Sequence, residues 1–223
     1  ISNDYGYSYD NANSVSNASL SQNPAQLNAE VKKVGDNLFM GFLQDNYQAG
    51  ADPFEGYSQY FQILDLPELN LVGDSNGTWL NPTDWFQYDF ISEFGRDLDL
   101  LVNDDNTLFY FTSLSEFFAG PDIYVRKVGI DGTVYWDAPK NLTNDPSSDS
   151  FVRSVFNVPN GGAFIVFDKI GSGNYGNITI MNQDGENTEG FPKRVCDVDS
   201  NQFIEDAVDT GDGIFVIWRD NRQ

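Results

Sequence analysis

A hydrophobic run, a turn and a second hydrophobic run recur four times along this chain. The first copy reads Val31-Lys32-Lys33-Val34, Gly35-Asp36, Leu38-Phe39-Met40-Gly41-Phe42. The second has Leu100-Leu101-Val102, a turn at 103–106, and Leu108-Phe109-Tyr110-Phe111. The third runs 155–158, 159–162 and Ala163-Phe164-Ile165-Val166-Phe167, and the fourth Ala207-Val208, 209–213 and Ile214-Phe215-Val216-Ile217-Trp218. Between copies lies a turn dipeptide, Asn76-Gly77, Asp131-Gly132 or Asp184-Gly185. Asn76 to Phe109 and Asp131 to Phe164 both span 33 residues, and Asp184 to Phe215 spans 31. Such regular spacing marks a structural repeat. The other half of the unit varies, which places an insertion at 46–57 of the first copy, where Gly50, Pro53 and Gly56 suit a loop.

Each unit predicts four strands. The first is short and partly polar. The second is apolar at nearly every position, which predicts cover on both faces. The third is amphipathic, at 60–64, 122–128 and 176–181. The fourth follows the turn dipeptide and carries Trp79, Tyr135-Trp136 or Phe191, the last in a strand reaching Cys196. Helix signals are confined to single turns at 83–86 and 113–118. Antiparallel four-stranded units covered on both faces predict an all-β fold, a β-propeller with about three and a half blades present. A β-sandwich would call for alternating central strands. The predicted division is an irregular segment or closing strands at 1–25, then blades at 26–83, 84–143, 144–196 and a partial one at 197–223. The expectation is a piece of a larger propeller, since an open arc leaves an apolar blade face uncovered.

Composition narrows the function. Twelve Lys plus Arg against 34 Asp plus Glu give a net charge of −22, so phosphate backbones and anionic lipid would repel the chain. Nucleic acid is excluded as a partner, and no apolar run is long enough to predict a membrane span. One cysteine, Cys196, permits no internal disulfide and reads as a small buried hydrophobe. With no histidine, neither a Ser-His nor a Cys-His pair exists.

The strings Gly161-Gly162-Ala163-Phe164-Ile165-Val166-Phe167-Asp168 and Asp212-Gly213-Ile214-Phe215-Val216-Ile217-Trp218-Arg219-Asp220-Asn221-Arg222 resemble blade repeats of large secreted propeller proteins of the Bacteroidota. The first two copies depart from that pattern, lacking the terminal Trp and the Asp-x-Arg loop. The resemblance implies export by the type IX route and an extracellular or outer-membrane location. It implies adhesion or binding, with a protein or glycan at the cell surface, the rest of the polypeptide or other secretion-system proteins as partners. A sialidase-like propeller is a neighbouring family, but Asp74-Ser75-Asn76-Gly77-Thr78-Trp79 misses the Asp-box spacing, and no cluster of three arginines is visible.

Two segments carry candidate chemistry. Trp218, Arg219, Asp220 and Arg222 end a central strand where loops converge, and read as ligand-binding residues. Asp197, Asp199 and Asn201 alternate as in a calcium loop, although the sixth and twelfth EF-hand positions are Gln202 and Val208. No cofactor is required; calcium is the ion that a looser site there would take. The sequence predicts no catalytic residues, hence a non-catalytic binding or scaffold module. A propeller-fold carbohydrate-active enzyme is the alternative, and it would need two or three carboxylates converging on one pocket.

Overall fold

The computed structural model describes residues 26–45, 57–66, 68–72, 78–79, 98–103, 105–115, 120–136, 138–159 and 161–221. The first sheet contains β1 (Gln26–Val34), β2 (Asn37–Asp45), β3 (Tyr57–Asp65), β4 (Leu71–Val72) and β5 (Thr78–Trp79). The second contains β6 (Leu98–Val102), β7 (Thr107–Ser115), β8 (Pro121–Gly129) and β9 (Lys140–Asn141). The third contains β10 (Asp149–Val158), β11 (Gly162–Ile170), β12 (Asn174–Met181) and β13 (Lys193–Arg194). The fourth pairs β14 (Gln202–Asp209) with β15 (Ile214–Asp220). Strands follow one another in order within each sheet, all antiparallel, except that β4 and β5 both pair with β3. These meandering sheets are the blades of a β-propeller.

The sheets stack face to face. Between the first and second lie Val34, Phe39, Phe61 and Ile63 against Leu100, Leu108, Tyr110 and Val128. Between the second and third lie Phe109, Phe111, Ile123 and Val125 against Val152, Ile165, Phe167 and Met181. Alternation along a strand sends neighbouring residues to opposite faces, so a strand in a middle sheet must be apolar on both. The first strands are neighbours in succession: β1 meets β6, β6 meets β10, and β10 meets β14. They form the inner edge of the stack.

Two glycines permit this packing. A Cβ on Gly41 would lie 2.6 Å from the Tyr110 ring of the next sheet. Gly185 has φ +78°, and a Cβ there would also meet Trp136 at 2.7 Å.

Some expectations need correction. The fourth strands are two-residue ladders; Trp79 lies in its ladder, paired with Tyr60, but in the second sheet the ladder comes later than the aromatic pair: Val134 makes one bridge to Val128, while β9 begins only at Lys140. Trp136 is instead a half-buried side chain packed against the core and stacked on Phe109. The strand expected at 191–196 shrinks to Lys193–Arg194, since Pro192 lacks an N–H for the ladder. Cys196 is half-buried rather than core. Residues 113–115 belong to β7, not a helical turn, because nine-residue pairing with β8 outweighs the local preference. First strands are longer than expected, reaching ten residues in β10. The segments at 1–25, 46–56 and 83–86 and most of the Asp-box-like string lie outside the described residues.

Candidate functional site

The loops joining successive sheets, at 142–148 and 195–201, share one rim with the β11–β12 turn and the end of β15. Asn174 N–H donates to Asn201 Oδ1 at 3.2 Å. Asn221 N–H donates to Asn201 O at 3.1 Å. Lys169, near the end of β11, pairs with Asp145 in the first of these loops. That ammonium, with the Ser147 hydroxyl and N–H, holds the Asp145 carboxyl well below the usual carboxylate range.

The rim also holds the candidates singled out in the sequence. Trp218 pairs with Ile204 and Asp220 with Gln202. Val216, Ile217, Trp218 and Asp220 line an open groove of about 440 Å³. Arg219 is 68% exposed at its side chain, with Nε 3.2 Å from Glu205 Oε1 and its guanidinium 5.6 Å above the Phe203 ring. Arg222 lies outside the described residues. Asp197 and Asp199 are exposed, and Asp199 Oδ1 is 3.5 Å from Arg194 Nη1. The pairing of Gln202 with Asp220 therefore brings Asn201 beside the end of β15, while Asp197 and Asp199 point outward.

Gln202 is the centre of this loop. It is 0% exposed, and its Nε2 donates to Cys196 O at 3.3 Å and Val198 O at 3.1 Å. Its Oε1 and the Ser200 hydroxyl are buried without a hydrogen-bond partner.

A second polar group lies at the inner edge. Glu30 pairs with Gly41, Asp99 with Phe111, Ser154 with Val166 and Asp206 with Ile217, so the four hold the same register position. Leu100 N–H donates to Asp99 Oδ1 and Ala207 N–H to Asp206 Oδ1, both at 2.8 Å, which repeats one local geometry. Lys32 Nζ lies 3.0 Å from Glu30 Oε1 and 3.6 Å from Asp99 Oδ1. Burial pushes the Asp99 carboxyl up and the Glu30 charge adds to this, against Lys32 and the N–H groups of Leu100 and Val155. Burial opposes the Lys32 ammonium, but Glu30 and Asp99 outweigh it and raise its pKa. A half-buried carboxyl with a raised pKa beside a second carboxylate is the kind of group that can bind hydroxyl groups.

Motif reading missed this row. Its signal is positional: Glu30, Asp99, Ser154 and Asp206 each immediately precede the aliphatic start of the repeated phrase.

No family model matches the chain, and no curated protein matches its sequence. Among solved structures, the crystal structure of an endo-arabinase from Bacteroides thetaiotaomicron VPI-5482 is similar. The identity is 11%, the alignment covers 85% of this chain and 68% of that one, and the TM-score is 0.45. Among the described residues no helix is long and apolar enough to cross a membrane.

Proposed function

We propose that this chain is a secreted or cell-surface propeller module that binds a protein partner and catalyses no reaction. The observation that carries this reading is the outward face of the fourth sheet. Phe215 is 65% and Ile217 56% exposed there, beside Val208 and Arg219. Each inner sheet buries the same face against its neighbour, so the occupant that fits is a further β-sheet surface with an apolar face. Arg219 favours a partner with an acidic group or carbonyl at its level. Type IX export and display accompany this reading.

The test is a structure of the protein isolated from its native source. A protein surface seated on Phe215 and Ile217 is the expected result. A glycan bound there, or a bare face together with a glycan held on the rim, overturns it.

The Asp99–Glu30 pair favours a second reading, a carbohydrate-active enzyme. Lys32 between the two carboxyls argues for a structural role, because it neutralises the charge a general base needs. Release of reducing sugar from a polysaccharide, abolished by Asp99→Asn, would establish the enzyme instead.

A further inference from the structure

From the second sheet to the third, and from the third to the fourth, one acceptor side chain takes an N–H from the next sheet. Ser113 Oγ accepts the Val152 N–H, and Asp168 Oδ1 accepts the Ile204 N–H. Ser113, Asp168 and Arg219 each stand two residues after register-equivalent positions, Phe111, Val166 and Ile217. On the outward face of the fourth sheet this position therefore carries a guanidinium, which accepts nothing. A further sheet laid on as the third and fourth are would bring an N–H to a donor. The occupant of this face is not another sheet in that setting.

The face matches itself instead. Val208 pairs with Phe215, Asp206 with Ile217 and Phe203 with Arg219, and paired residues share a face. Ile217 is the middle of the row, with Phe215 two residues to one side and Arg219 two to the other. A two-fold axis through Ile217, across the strands, lays Ile217 on Ile217 of a second copy, Phe215 on its Arg219 and Val208 on its Phe203. Each of these contacts is favourable. The aromatic–guanidinium contact repeats a geometry already on this face, where the Arg219 guanidinium lies 5.6 Å above the Phe203 ring. Glu205 holds Arg219 through Nε, and the rest of that side chain is exposed. Only Asp206 falls on its own equivalent; it is exposed and stays hydrated there, which weakens association.

We infer that the outward face of the fourth sheet is a homodimer interface, closed by a two-fold axis through Ile217, with Phe215 of each copy against Arg219 of the other. This inference rests on the partner-binding reading and names the partner as a second copy of the chain. Two copies of net charge −22 repel, and the face is two strands wide. Association is therefore weak, with a dissociation constant of roughly 10–100 μM at about 0.3 M salt, and the chain is a monomer at about 1 μM.

Sedimentation equilibrium of the whole chain from about 1 to 500 μM tests this. The mean mass should rise from that of one copy towards that of two. Ile217→Asp sets two carboxylates on the axis and should weaken association at least ~tenfold. Asp206→Asn should tighten it roughly two- to fivefold. Phe215→Arg and Arg219→Glu should each weaken it, since the first sets guanidinium against guanidinium and the second removes the cation. Mixed in equal amounts, these two variants should associate with each other more tightly than either does with itself, because the introduced Arg then faces the introduced Glu. A constant monomer mass, an association that Ile217→Asp leaves unchanged, or a mixture no tighter than its components overturns the inference. A constant monomer mass with another protein's surface on Phe215 and Ile217 in the native-source structure ends the homodimer but keeps the partner-binding reading; a glycan bound there ends both.

Discussion

The third and fourth sheets are built on one register but have opposite fates. Val166 of β11 and Ile217 of β15 occupy equivalent positions; Val166 is 0% exposed and Ile217 56%. One residue pair is reversed in charge between them. In the third sheet the bulge residue Arg153 meets Asp168, Nε to Oδ2 at 2.8 Å; in the fourth the bulge residue Glu205 meets Arg219 at 3.2 Å. Asp168, 2% exposed, also accepts the Ile204 N–H of the next sheet at 2.8 Å. Ser113, one sheet earlier, accepts the Val152 N–H at 3.0 Å. This position is a recurring tie between sheets. In the second and third sheets the tie residue is a buried acceptor, and on the outward face of the fourth it is an exposed donor. The same strand pattern becomes core or surface according to what lies on it.

The comparison is broken most severely by charge. Val166→Asp should cost more than about 4 kcal/mol, because it buries a carboxylate without a partner. Ile217→Asp should stay within ~0.5 kcal/mol. Urea denaturation of both variants checks this; equal losses would mean that the β15 face is covered in solution. Next in size is the tie itself. Asp168→Ala removes the carboxylate that Arg153 meets and leaves the buried Ile204 N–H unpaired, and should cost about 3 kcal/mol. Arg219→Ala, on the exposed copy, should cost about 0–1 kcal/mol. The neutral tie is smaller: Ser113→Ala leaves the buried Val152 N–H unpaired and should cost ~1–3 kcal/mol in the same assay.

The smallest effects are in pH dependence. Asp99 has its folded pKa above the unfolded value of about 3.9. The folded state then binds more protons between those two values, so its contribution to stability falls as pH rises through that window. Asp99→Asn should flatten this fall. Asp145 behaves oppositely: its contribution is present above the unfolded pKa and lost as pH falls through the lower folded one. Lys169→Gln should weaken that acid-side loss. Urea midpoints measured from pH 3 to 7 decide both, and unchanged profiles would remove the electrostatic roles assigned to these two groups.

Much of the architecture was legible in local pattern. The Phe-containing central strands, the third strands and the Gly/Asp/Asn turns have periodicity and turn chemistry that act over a few residues. The fourth strand of the first sheet falls at Trp79 as read, but that of the second sheet was misplaced because Trp136 is apolar and aromatic for the sake of stacking on Phe109, not for ladder pairing. The candidate site was legible only as residue types. Asp197, Asp199 and Asn201 stood out by alternation, but the buried amide at the loop's centre is Gln202, the residue that had counted against the calcium pattern. Asp99 and Glu30 were invisible as a pair, since nothing local says that two first strands will lie side by side with Lys32 between them.

The sequence by itself determined the repeat, the strand order within each sheet and the net charge of −22, because hydrophobic period, turn residues and charge are local or additive quantities. Only the tertiary structure decided which copies of that repeat are covered, which carboxyl has its pKa raised by burial, and which amide oxygen is left without a partner. Those outcomes depend on desolvation and on contacts between residues tens of positions apart, and desolvation belongs to the stack of sheets rather than to any one of them.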